Sequence, residues 1–220
     1  MADRRQCASV AAAIIGLAFL LSACAALAPD NEHAAVPVLV VGNEAAINPN
    51  LVVRDSPLFR ETVFANFESV LAKHGFRAVG EEAFRGRFDL NRGGAGPWGR
   101  WLDADFVAGA KRLSADGSGA CFPFLVTARV YVRIWHNRPQ YLNVEPWVRI
   151  YDTGSGERIG EAADNAEVPL PSYCPPGVCL KTMYRASAAG IFRPLGEAVA
   201  RKLVAYRERD RFGKPARRCG

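Results

Sequence analysis

The sequence is poor in the groups that carry most enzymatic and metal chemistry. It holds three histidines, His33, His74 and His136. They stand far apart, with neither HExxH nor another paired-ligand spacing, and this argues against a metal centre. No GxSxG elbow is present for a serine nucleophile, and no GK[ST] sequence is present to cradle phosphate. Gly94-Ala-Gly-Pro-Trp-Gly99 matches GxGxxG in form, but no apolar strand precedes it and a proline sits inside it, so it reads as a loop. Asp103 and Asp105 lie two apart on an expected helix. They face different directions and read as surface charges, not as an acid/base pair. Internal repeats are absent. No catalytic residue, metal or cofactor follows from this chain. After Leu21 no second long apolar run occurs, so nothing downstream reads as a bilayer span.

The N-terminus is more informative. Arg4 and Arg5 precede an uncharged apolar stretch, Ala8 to Leu21, that is short for a bilayer span and ends in small residues before Cys24. Leu21-Ser22-Ala23-Cys24 resembles the lipobox of bacterial lipoprotein signals. The resemblance implies a signal peptide over residues 1–23, a diacylglyceryl group on the Cys24 sulfur, and acylation of the new amine. Ala25, where an aspartate would favour retention, implies the outer membrane by likeness to enterobacterial sorting, with the domain facing the periplasm. Taking Arg4, Arg5 and Asp3 from the 28 basic and 22 acidic residues leaves a net charge of +5 after residue 23. A basic balance in that compartment suits anionic lipid, peptidoglycan or an acidic protein surface, and not nucleic acid.

Cysteine usage fits the same address. Cys121, Cys174, Cys179 and Cys219 remain once the leader and the lipidated Cys24 are set aside. An even count in an oxidising compartment points to disulfides, with three connectivities open. Cys174-Pro-Pro-Gly-Val-Cys179 has turn composition and is suited to a local bridge. Cys121–Cys219 is then the pair left over.

The chain divides into a tether (24–35), one domain (36–209) and a basic tail (210–220). Val36 to Val41 reads as a strand buried on both faces. Ser56-Pro57 opens a helix whose apolar stripe is Phe59, Val63, Phe67, Val70 and Leu71, closed by His74-Gly75. Phe76 to Val79 is a short strand, and Trp101 to Leu113 is amphipathic. Phe124 to Trp135 and Asn143 to Tyr151 alternate strictly, with His136 to Leu142 expected as a loop and Glu157 to Ala162 as the returning strand. A last helix is expected from about Thr182 to Arg209, kinked or started by Pro194. The expected fold class is α/β (α+β): a single mixed sheet, β-α-β, then a three-strand meander and a C-terminal helix, with the two long helices on one face.

This order resembles the small α/β domain of penicillin-binding-protein activator lipoproteins, the curli-export lipoprotein family and the N-terminal domain of the Tol-system propeller protein. The likeness rests on Val36–Val41, Phe59–Val79, Val148–Ala162 and Leu195–Val204. It implies binding of an envelope partner without catalysis.

The candidate binding surface is the outward face of the meander. Arg129, Tyr131, Arg133 and Trp135 alternate on one strand, and Trp147, Arg149 and Tyr151 on the next. Interleaved guanidinium and aromatic groups suit a protein hot spot, an anionic partner, or a glycan stacked on Trp135 and Trp147. The same pattern also fits a self-satisfied cross-strand ladder.

Overall fold

The computed structural model describes residues 35–42, 56–80, 103–115, 121–135, 138–175 and 177–213. All lie within one compact unit, Ala35–Gly220. Its strands are β1 (Val36–Gly42), β2 (Phe76–Val79), β3 (Phe124–Trp135), β4 (Arg138–Asp152), β5 (Arg158–Ala163) and β6 (Ala166–Pro169). The helices are α1 (56–73), α2 (Asp103–Ala115) and α3 (Val178–Gly213). One mixed sheet has the order β2-β1-β3-β4-β5, with β6 also on β4.

β1 is the centre of the parallel part, paired with both β2 and β3. That position explains its unbroken apolar run: Val38, Leu39, Val40 and Val41 are all buried, with successive residues facing opposite layers. The crossover from β1 to β2 is α1, which buries Leu58, Val63, Phe67, Val70 and Leu71. A π-helical turn interrupts it at Arg60–Phe64. Side chains meet the polar demand there: Thr62 Oγ1 donates to the Leu58 carbonyl at 2.6 Å, and Asn66 Nδ2 donates to the Thr62 carbonyl at 2.6 Å. The helix stops at Gly75, whose φ of +77° is open to glycine at little steric cost.

β3 and β4 form a long antiparallel hairpin, in register from Phe124↔Asp152 to Ile134↔Leu142. The stretch expected as a loop before Leu142 is instead strand from Arg138 onward, because continuing the hairpin lets Leu142 and Val144 enter the core. β5 and β6 share one register on the far edge of β4, Trp147↔Ala163 and Val144↔Ala166. Pro146 lies opposite the gap between them. It accepts from the Asp164 N–H at 3.1 Å and has no N–H to return, so the ladder is interrupted there.

α3 is longer than its sequence pattern suggested. It starts at Val178, not Thr182, and its backbone stays helical to Gly213, into the stretch expected as tail. Pro194 neither starts nor ends it. Pro194 and Gly190, the residue whose carbonyl it deprives of a donor, are both exposed, so that carbonyl is left on the solvent side of the helix. The buried stripe Leu180, Tyr184, Ala188, Ile191, Leu195, Val199 and Leu203 lies against α1 and one sheet face.

The two long helices therefore cover one face, as the pattern implied. The amphipathic α2 packs on the other. Its Phe106, Val107, Ala110 and Leu113 form a second core with Leu39, Val41, Phe122, Leu125 and Tyr151. The arrangement of helices on one face thus holds for α1 and α3 and not for α2.

Candidate functional site

The alternation of β3 and β4 delivers the expected side chains to one face. Cross-strand partners are Arg129↔Trp147, Thr127↔Arg149, Tyr131↔Glu145 and Arg133↔Asn143. The structure divides them into two groups, because α2 reaches only part of this face.

The first group gathers on Asp103, the opening residue of α2. Its carboxylate accepts from Arg149 Nη1 at 2.7 Å, Tyr151 Oη at 2.8 Å and Arg129 Nη2 at 3.5 Å. Asp103 was read as a surface charge; it is 8% exposed. A carboxylate in the first turn of a helix is favoured by the helix dipole, and two guanidiniums compensate its burial. Asp103 raises the Arg149 pKa, chiefly through their hydrogen bond. Burial, then the hydrogen bond and the charge of Asp103, push the Tyr151 phenol up to about 12. Tyr151 was expected on an outward platform and is instead buried beneath α2 with Thr127. What the sequence showed as an open Arg/aromatic face is here a latch between sheet and helix.

The second group lies further along the hairpin. Arg133 Nη2 donates to Glu145 Oε1, and Asn143 Nδ2 donates to the same oxygen at 2.7 Å. The Arg133 side chain is 45% exposed. Asn143 is buried, and among the described residues its Oδ1 has no hydrogen-bond donor. Between the two groups, the Arg149 guanidinium lies 4.2 Å from the centroid of the Trp147 ring. Arg149 thereby joins the latch to the half-buried Trp147 and takes one of its ring faces. Tyr131 is half-buried on the same face. The side chain of Trp135 and the whole of Cys24 lie outside the described residues.

Cys174 and Cys179 form the expected local disulfide, with Cα atoms 5.4 Å apart. The bridge closes the loop leading into α3. Cys121 is also disulfide-bonded, and Cys219, the mate expected for it, lies outside the described residues. His74 caps α1 and places Nε2 2.8 Å from Glu197 Oε2 on α3, in keeping with a residue that joins two helices. Among the described residues, no group of three or more His, Cys, Asp or Glu could hold a metal ion. Among them too, no helix is long and apolar enough to cross a membrane.

No protein-family model matches the sequence, and no curated protein matches it either. Several solved structures are similar to it at a low level. A lipoprotein from Neisseria meningitidis, GNA1162, is 13% identical over 70% of this chain and 96% of its own, at a TM-score of 0.38. A homolog of the neuraminyllactose-binding hemagglutinin from Helicobacter pylori is 8% identical over 79% and 90%, at 0.42. TolB from Acinetobacter baumannii is 14% identical, at 0.32; the match covers 77% of this chain and 27% of TolB. At these identities and scores the likeness carries no argument about role.

Proposed function

We propose that this protein is a lipid-anchored envelope protein that binds a periplasmic or outer-membrane protein, serving assembly, export or cell-wall synthesis without catalysis. The address comes from the lipobox at Leu21–Cys24. Attachment at the outer membrane, with the domain in the periplasm, is part of the same proposal. The observation that carries the binding role is the fixed Arg149–Trp147 stack beside exposed Arg133. Asp103 holds Arg149 in place, so the aromatic–guanidinium surface is ordered before any partner arrives, and less conformational entropy is lost on docking. Because Arg149 covers one ring face of Trp147, the surface favours a protein over a stacked sugar.

The test is mild crosslinking in cells followed by affinity capture, comparing the wild-type protein with Arg133→Ala/Trp147→Ala. The double variant keeps its circular dichroism spectrum and loses a specific envelope partner. A partner profile identical to wild type would refute the role of this face.

A further inference from the structure

Lipidation at Cys24 fixes one end of the chain in the membrane but says nothing of how the domain sits. The fold supplies that orientation. The compact unit begins at Ala35, immediately before β1. The Val36 N–H donates to the Gly75 carbonyl at 3.0 Å, so the start of β1, the end of α1 and the start of β2 share one pole. The Phe76 ring meets Phe124 edge-on at 6.2 Å, and Phe124 meets Tyr206 edge-on at 6.0 Å. Tyr206 Oη donates to Asp152 Oδ2 at 3.1 Å, which brings the C-terminal part of α3 to the same pole.

Cations are treated differently at the two poles. At the hairpin end, Arg133 is matched by Glu145, Arg138 by Glu167 and Arg185 by Glu61. At the tether end, Lys73, Arg77, Arg201 and Lys202 are exposed, and Arg209 lies over the Tyr206 ring at 5.9 Å. Several acids near this pole already have partners: Glu197 faces His74, Glu161 holds Arg158, and Asp152 accepts from Tyr206 and Ser155. Glu68 on α1, Glu157 and Glu208 are further exposed acids on the elements that meet at this pole, fewer than the five cations.

We propose that this pole is a docking surface for anionic phospholipid, so that the domain stands on the membrane with Lys73, Arg77, Arg201, Lys202 and Arg209 toward the head groups. Two observations choose the membrane as the occupant. The surface carries an excess of exposed positive charge, and the chain leaves it toward Cys24, eleven residues before Ala35. That segment spans at most about 40 Å when fully extended, so the pole stays within reach of the bilayer. Each cation near an anionic surface adds about 1 kcal/mol, or about fivefold in binding. Standing this way, the hairpin end and the Arg133/Trp147 surface face away from the membrane, where an envelope partner would meet them. The inference rests on the lipid-anchored reading, but its test does not.

The test uses the chain from residue 24 onward carrying Cys24→Ala, and therefore no acyl group. Its binding to vesicles of phosphatidylglycerol and phosphatidylethanolamine is compared with binding to phosphatidylcholine vesicles by flotation. Binding to the anionic vesicles that falls with added salt is expected. Lys73→Ala/Arg77→Ala weakens it by roughly twenty-five-fold, from two cations at about fivefold each. Arg138→Ala/Arg185→Ala, at the opposite pole, leaves it unchanged. No binding to anionic vesicles at low salt, equal binding to phosphatidylcholine, or equal loss in both double variants would overturn the proposal. Folding of each variant is checked by circular dichroism, and Arg201→Ala/Lys202→Ala repeats the test on a different element. Failure here leaves the lipidation of Cys24 and the protein-docking face untouched, since neither is sampled by a lipid-free chain and pure vesicles.

Discussion

Removing the Asp103 carboxylate should detach α2 from the sheet before it unfolds the rest. Asp103→Ala deprives Arg149, Tyr151 and Arg129 of a common acceptor. Breaking one side of a fully buried ion pair typically costs about 3–5 kcal/mol. Here the arginine side chains are 26% and 27% exposed, so water recovers part of their solvation and about 2–3 kcal/mol is the working figure. Tyr151 supplies much of it, because its hydroxyl stays buried with no carboxylate to accept its proton. Asp103→Asn keeps the shape and loses the charge, and should cost about half as much. Urea unfolding followed by circular dichroism gives the global loss. Hydrogen exchange on α2 amides separates local release from global unfolding, since the helix has its own small core of Phe106, Val107, Ala110 and Leu113. The Tyr151 titration should also fall from about 12 toward the ordinary tyrosine value, by the part that Asp103 contributes. A stability within 0.5 kcal/mol of wild type, as is usual for an exposed ion pair, together with unchanged α2 exchange, would refute the latch.

Other outcomes follow from single features. Cys24→Ala should move the protein from the detergent-rich to the aqueous phase on partitioning; unchanged partitioning would count against the lipobox. Cys174→Ser/Cys179→Ser should lower stability by about 2 kcal/mol, the loop-closure contribution of a small ring; intact chain should yield the linked peptide in non-reducing mapping, and two alkylated thiols there would exclude the bridge. Tyr151 and Tyr184 are both held at about 12 in the folded protein, against about 10 when unfolded. A raised pKa means the folded state holds its proton longer, so this contribution is complete below pH 10 and is lost as pH rises toward 12. Unfolding free energy should therefore fall across that window, and a flat profile in Tyr151→Phe/Tyr184→Phe checks the assignment.

The elements themselves were legible because periodicity reports burial. β1 showed as an unbroken apolar run since both its faces are covered, and α1 showed as a stripe closed by Gly75. The strict alternation of β3 and β4 fixes by itself which side chains share a face. The bridge between Cys174 and Cys179 followed from a short turn that keeps its ends together. Other features left a weaker local mark. The residues 138–142 look like a loop, because proline and polar groups dominate them, and become strand only through pairing with β3 and β6. Pro194 looks like a kink or a helix start and is carried through because Gly190 is exposed.

The candidate site shows the same division. Sequence alone determined that arginines and aromatics alternate on one sheet face, since a strand's two-residue period leaves no other arrangement. It did not determine what that face meets. An aspartate at a helix start reads as a solvated charge by itself. Asp103 became the centre of the site only because α2 crosses to the sheet face that α1 and α3 leave open. Which cations are matched and which stay free was likewise decided by tertiary structure. Arg138 finds Glu167 and Arg185 finds Glu61 across strands and helices distant in the chain, while Lys73 and Arg77 end up exposed at the pole where β1 begins. Local pattern fixes the direction of a side chain along its own element; only the packing of elements decides which groups share a dielectric and a partner.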